Sequence, residues 1–235
     1  MSGAHRQQHT GHDSHHRHDT HRHGDHLRDH DPDQGSDQAQ HPAGGLRPLY
    51  FVRHGATEPN LAGLRCGGDL NVPLTDLGRD QALSSAQRLQ AQGLHIGLIV
   101  SSGLLRTDET ARIIARRLGG VPLITEPGFN ERLLGEWNLC PLAETEPWLT
   151  MGMKPPGGEA AQVFSTRIEA ALEALLPRLA DGVLLVSSRG VGRVLGELTG
   201  RPGPMVLSNG EVARFDVNSF AGFRAMGSEP CGSEA

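Results

Sequence analysis

The stretch from Leu49 to Asn60, LYFVRHGATEPN, decides the fold. Leu49 to Val52 is a run of four apolar or aromatic residues, the pattern of a strand buried on both faces, and it stops at Arg53-His54-Gly55. An open α/β sheet places its chemistry in the crevice outside the carboxyl ends of its strands. His54 would stand there beside the fixed cation of Arg53, and Gly55 lets the backbone turn acutely or approach an anion closely. An imidazole next to a guanidinium suits attack on a phosphoryl group, because the arginine neutralises the oxyanion while a neutral ring nitrogen meets phosphorus in line. Taken alone, the triplet is as readily a chance strand ending.

Outward from that stretch, 235 residues accommodate one domain of ordinary size with tails. There are 22 Lys and Arg against 27 Asp and Glu, a net charge of -5, and no basic stripe of the kind a nucleic-acid surface needs. Cys66, Cys140 and Cys231 are widely spaced and form no metal-binding pair, which argues for a reducing compartment and predicts a cytoplasmic protein. No apolar run reaches the roughly 18 residues of a membrane span, and the N-terminus lacks the apolar centre of a signal peptide.

Residues 1–45 are a separate object, holding 11 of the 13 histidines and almost no aliphatic residues. Such a segment cannot bury enough apolar surface to offset the entropy of ordering it, so it is expected to be a disordered, histidine-rich extension. His15-His16-Arg17-His18 and His21-Arg22-His23 can chelate nickel or zinc, and that binding is read as adventitious. No metal ligand or cofactor is assigned to the folded part.

Along the folded part, Thr57 to Asn60 is a polar loop in which Asn60 by itself would close an Asx turn. Thr75 is a plausible N-cap for a helix with an apolar stripe of Leu77, Ala82, Ala86 and Leu89, ending before Gly93. Leu98 to Val100 is a second buried strand, and the Ser101-to-Thr107 segment after it is a polar turn into a helix, where backbone N–H groups and Arg106 can meet an anion. A short strand at Val121 to Thr125 leads to Glu131 within Phe129-Asn130-Glu131-Arg132. Residues 140–158 are rich in Pro and Gly and read as an irregular lid or insertion, with Lys154 facing solvent. A helix from Ala160 to about Ala180 presents Val163, Ile168, Leu172, Leu175, Leu176 and Leu179 to the core. Val183 to Val186 forms a strand ending at Ser187-Ser188-Arg189-Gly190, and a helix spans Gly192 to Thr199. Val206 to Ser208 and Glu211 to Val217 flank Asn209-Gly210 as a hairpin. The alternation predicts a three-layer α/β/α domain over residues 46–220, mainly parallel, with a flexible tail at 221–235.

These motifs together resemble the histidine phosphatase superfamily, the group that includes cofactor-dependent phosphoglycerate mutases and many phosphomonoesterases. The match runs over Arg53-His54-Gly55, Asn60, the Ser101-Ser102 turn with Leu104, Arg106-Thr107 and Thr110-Ala111, then Glu131 and Gly157-Gly158-Glu159. The resemblance implies the phosphoglycerate mutase-like sheet with one antiparallel strand. It also implies that His54 is the nucleophile, that Arg53, Asn60 and Arg106 bind the phosphate, and that Glu131 is the general acid. The family pattern departs at one informative place. Where it has Ser-His-Gly-Gly, with a second active-site histidine, this chain has Ser188 at the histidine position and Arg189 at the first glycine.

The function expected from this reading is hydrolysis of a small phosphorylated metabolite through a phosphohistidine at His54. The alternative is a diverged phospho-ligand-binding protein, or a biosynthetic enzyme with altered chemistry, in which Ser188 has cost the ordinary turnover and Arg189 either compensates in charge or does not. A third assigns the function to the histidine-rich extension as a metal store. Neither nucleic acid nor membrane is an expected partner, and a homodimer is an allowed assembly.

Overall fold

In the computed structural model, residues 46–201 and 205–220 are described; the expectations for residues 1–45 and 221–235 lie outside them. The strand read from the first motif is β1, Leu49–Arg53. It is followed by the single-turn helix α1, Glu58–Leu61, and by α2, Asp76–Ala91. Next come β2, Leu98–Ser101, α3, Leu105–Arg117, and β3, Leu123–Thr125. Then follow α4, Leu142–Thr150, α5, Ala161–Leu175, β4, Val183–Ser187, α6, Arg189–Leu198, and β5, Val212–Phe215.

The sheet order is β3-β2-β4-β1-β5, parallel except for β5, which runs antiparallel to β1. Strand periodicity sends Leu49 and Phe51 into a core shared with Phe164, Ile168 and Leu172 of α5 and Val191, Val194 and Leu195 of α6. Val52 goes to the opposite core with Ala86 and Leu89 of α2 and Ala111 and Ile114 of α3. Both faces are therefore covered, which explains why the central strands read as continuous apolar runs. The three-layer α/β/α sandwich with one antiparallel strand is as the sequence predicts. Among the described residues no helix is long and apolar enough to cross a membrane.

Four local expectations are corrected. Leu77 is 49% exposed and Val163 58% exposed, because each buried face begins one residue later, at Gly78 in α2 and at Phe164 in α5, while Ala82, Ala86, Leu89, Ile168, Leu172 and Leu175 are buried as expected. The helix after Gly158 stops at Leu175, and a 3-10 turn from Leu176–Asp181 completes it. Residues 140–158 are not wholly irregular, since α4 forms there with Pro147 inside it. Tertiary anchors outweigh the missing donor: the buried Arg65 guanidinium donates to Thr145 Oγ1 and Glu146 Oε2, and the Trp137 and Trp148 rings lie 5.2 Å apart. Val206 to Ser208 is not a strand, and the reason lies in the site.

Candidate active site

β1 and β4 are neighbours in register Arg53↔Ser187. The next residue on each strand is therefore His54 on one and Ser188 on the other, side by side at the carboxyl edge, with the His54 N–H donating to Ser187 O at 2.9 Å. β2 lies on the other side of β4 and sends Arg106 to the same edge from the first turn of α3. Glu131 enters from the loop after β3, and its Oε2 accepts from the Gly190 N–H at 3.0 Å, in the first turn of α6. That approach requires glycine, because a Cβ on Gly190 would lie 2.2 Å from Glu131 Oε1.

His54 is 3% exposed. Its Nδ1 lies 2.7 Å from the Gly55 carbonyl oxygen; a carbonyl only accepts, so Nδ1 carries the proton and the lone pair sits on Nε2. Burial, then the charges of Arg106 and Arg53, push the imidazolium well below its ordinary range, against a smaller opposite pull from the Gly55 carbonyl. His54 should therefore keep the Nδ1–H neutral tautomer well below the usual midpoint near 6.5. Nitrogen-15 shifts of the ring, assigned by difference against His54→Ala, check this, and a midpoint at or above 6.5 would refute it. The linkage sign follows: with the folded value below the unfolded one, His54's contribution to stability is complete above about pH 6.5 and declines as pH falls below it.

Arg53 donates from Nη1 to Leu207 O at 2.6 Å. Burial first, then the charges of Arg189 and Arg106, lower its pKa to about 10, with Glu131 and Glu211 opposing, so it remains cationic at neutral pH. Arg106 is fully buried, donating from Nη1 to Leu70 O at 2.8 Å and from Nη2 to Gly67 O at 3.1 Å. The Nε atoms of both arginines, Thr57 Oγ1 and Ser188 Oγ are buried without a hydrogen-bond partner among the described residues. Unsatisfied buried polar groups are expensive. Four of them, two on arginines, come from the carboxyl ends of β1, β2 and β4 and the segments that follow, and make a polar cradle.

Asn60 Oδ1 accepts from the Thr57 N–H and from Asn209 Nδ2, so it both closes the α1 entry turn and ties in the loop before β5. Glu131 does not pair with the Arg132 guanidinium. Its Oε1 takes the Arg132 backbone N–H at 2.8 Å, while that side chain reaches Glu159 O and Met153 O. Arg189 is half-buried at the start of α6 beside Ser188. Lys154 is exposed, as expected.

Two residues at the site carry contacts that the sequence reading does not assign. Asn209, read in the sequence as part of a hairpin turn, donates from Nδ2 to His54 O at 3.0 Å, and Gly210 N donates to Arg53 O at 2.9 Å. With Leu207 O held by Arg53 as well, the segment before β5 is folded onto Arg53 and His54 instead of pairing as a strand. Thr110 was legible only as a family match; its Oγ1 accepts from the Gly55 N–H at 3.1 Å and donates to Arg106 O at 2.7 Å. Among the described residues no group of three or more His, Cys, Asp or Glu is gathered to hold a metal ion.

A sequence profile of the histidine phosphatase superfamily (branch 1) matches residues 49–215. The chain belongs to that family. A protein of Yersinia pestis (strain Pestoides F) named as a probable phosphoglycerate mutase, GpmB, is 37% identical over 166 residues, covering 66% of this chain and 75% of its own. A solved mycobacterial glucosyl-3-phosphoglycerate phosphatase in complex with VO3 superposes with a TM-score of 0.61 at 27% identity, covering 72% of this chain and 90% of that one. A structure titled mycobacterial hydrolase 1 gives 0.61 at 26% identity, over 72% and 91% of the two chains. Within the superfamily, the chain is a phosphatase-like phosphoryl-transfer enzyme.

Proposed function

We propose that this member of the superfamily hydrolyses a phosphomonoester of a small metabolite through a phosphohistidine at His54. The observation that carries the reading is the His54 ring, held neutral with Nδ1–H on Gly55 O and its Nε2 lone pair available, beside the fully buried Arg106 and the half-buried Arg53, each with a buried, unpartnered Nε donor. Arg53, Arg106 and the Asn60 amide hold the phosphoryl oxygens. Nε2 attacks phosphorus, the P–O bond to the leaving group breaks, and Glu131 delivers a proton to the departing oxygen. Water then attacks the phosphohistidine and gives its proton to the Glu131 carboxylate. The P–N bond breaks, inorganic phosphate leaves and the Nε2 lone pair is restored.

Ser188 stands where the family pattern has its second histidine, and a neutral hydroxyl stabilises developing negative charge less than a cationic or strongly donating ring. Arg189 supplies charge next to it: it is half-buried, and its field is felt at Arg53. The second reading, a phospho-ligand binder without ordinary turnover, rests on the same Ser188 hydroxyl, which is buried and unpartnered. One experiment separates them. Protein quenched in base during turnover of an aryl phosphate should carry one phosphoryl group, acid-labile and located on His54 by peptide mapping. Failure to form that adduct, together with phosphate binding that raises the melting temperature, would establish the binder instead.

A further inference from the structure

Arg167 lies on α5, away from the motifs that identify the site, and its donors converge on the segment that ends in Glu131. Nη1 donates to Gly128 O at 2.9 Å and Asn130 O at 2.7 Å, and Nη2 donates to Glu131 O at 3.0 Å. The guanidinium is held from behind by Glu159, with Nε on Oε1 and Nη2 on Oε2, both at 2.9 Å. It also lies 5.0 Å from the Phe164 ring centre. Glu159 in turn clamps the far side of the loop, since its Oε2 accepts from the Leu133 N–H and its own N–H donates to Leu133 O. α5 sits so close that a Cβ on Gly128 would lie 2.6 Å from Ala171 Cβ.

We propose that the Arg167–Glu159 pair is a positioning device for Glu131, fixing the backbone of residues 128–133 so that the Glu131 carboxyl faces the leaving oxygen; this rests on the reading of Glu131 as proton donor. A buried ion pair contributes little net stability by itself. Here the planar fork of the arginine is spent on three carbonyls within the four residues 128–131, and only an arginine supplies that many donors in a fixed plane. The Glu131 carboxylate is otherwise held by two backbone N–H groups, so its direction is set by the torsions of the segment that Arg167 holds. A carboxyl displaced by about 1 Å still binds substrate but delivers its proton poorly.

The leaving group tests this, because a departing alkoxide needs the proton and an electron-poor phenoxide hardly does. Arg167→Gln, Arg167→Lys and Glu159→Gln are assayed on an alkyl phosphate and on 4-nitrophenyl phosphate, with Glu131→Gln as reference. Each positioning variant should lose roughly ten-fold or more in kcat on the alkyl ester and about three-fold or less on the aryl ester, with KM nearly unchanged. Equal losses on both esters in every variant that melts cooperatively would make the pair a purely structural brace and overturn the proposal. If Glu131→Gln itself leaves the ratio of the two esters unchanged, Glu131 is not the proton donor and that reading fails first. If it shifts the ratio while the Arg167 and Glu159 variants do not, only the positioning role is lost. Arg167→Lys, which keeps charge but not the fork, should shift the ratio in the same direction.

Discussion

His54→Ala should lower phosphomonoester hydrolysis by on the order of 10⁴-fold or more and remove the acid-labile phosphoenzyme entirely, while phosphate still binds. Loss of a nucleophile removes a covalent pathway, whereas the arginines that hold the phosphate remain in place. The ring is 3% exposed and its side chain is held by a hydrogen bond to the Gly55 carbonyl, so the variant leaves a small cavity and an unpaired carbonyl, a cost of a few kcal/mol at most. A cooperative melt therefore distinguishes chemistry lost from fold lost. Steady-state rates on an aryl phosphate settle the matter, and a variant within ten-fold of wild type would rule out His54 as the phosphoryl acceptor.

Arg106→Lys is expected to cost the second largest factor, about 100-fold or more in kcat/KM, equivalent to roughly 2.7 kcal/mol of transition-state stabilisation. A lysine reaches the same region but has no Nε–H in a plane with two Nη donors, so it cannot hold Leu70 O and Gly67 O and still address an oxyanion. Because Arg106 organises the loop as well as facing the cradle, the variant should also weaken vanadate binding, measured by the shift it produces in melting temperature. Full retention of kcat/KM with a lowered melting temperature would reduce Arg106 to a staple for residues 67–70.

Which parts of this were legible in the sequence follows from how far apart the interacting residues lie. β1, β2 and β4 were readable because a strand covered on both faces must be apolar along its whole length, and the placement of His54 and Arg106 was readable because each sits just beyond such a strand; Glu131 follows the short, exposed edge strand β3 and stood out only through the family resemblance. Leu77 and Val163 were misplaced because helical phase depends on which neighbour is met first: Gly78 lies against the backbone of Ala56, with room for no side chain, and that contact turns Leu77 outward. α4 was hidden by Pro147, whose local penalty is overridden by Arg65 and Trp137 from distant parts of the chain. Asn209 and Arg167 were invisible for a related reason. An Asn-Gly pair looks the same whether it closes a hairpin or holds the backbone of His54, and a helix arginine looks solvated until its carbonyl partners are folded onto it.

The crossing of Gly55 over Gly78 has a further bearing on how this protein meets a substrate. A Cβ on Gly55 would lie 2.1 Å from Gly78 O, and the same stretch is pinned by Thr110 at Gly55 N and by Gln81 Oε1 at Ala56 N. Two backbones in direct contact, with no side chain between them to rotate, leave nothing that can act as a hinge. The segment carrying His54 and the start of α2 must therefore move as one body or not at all. On the proposed reading, phosphoryl acceptance at His54 would be a rigid-receptor event, in which the protein's half of the encounter geometry is already set when the ligand arrives, and any adaptation would belong to the ligand.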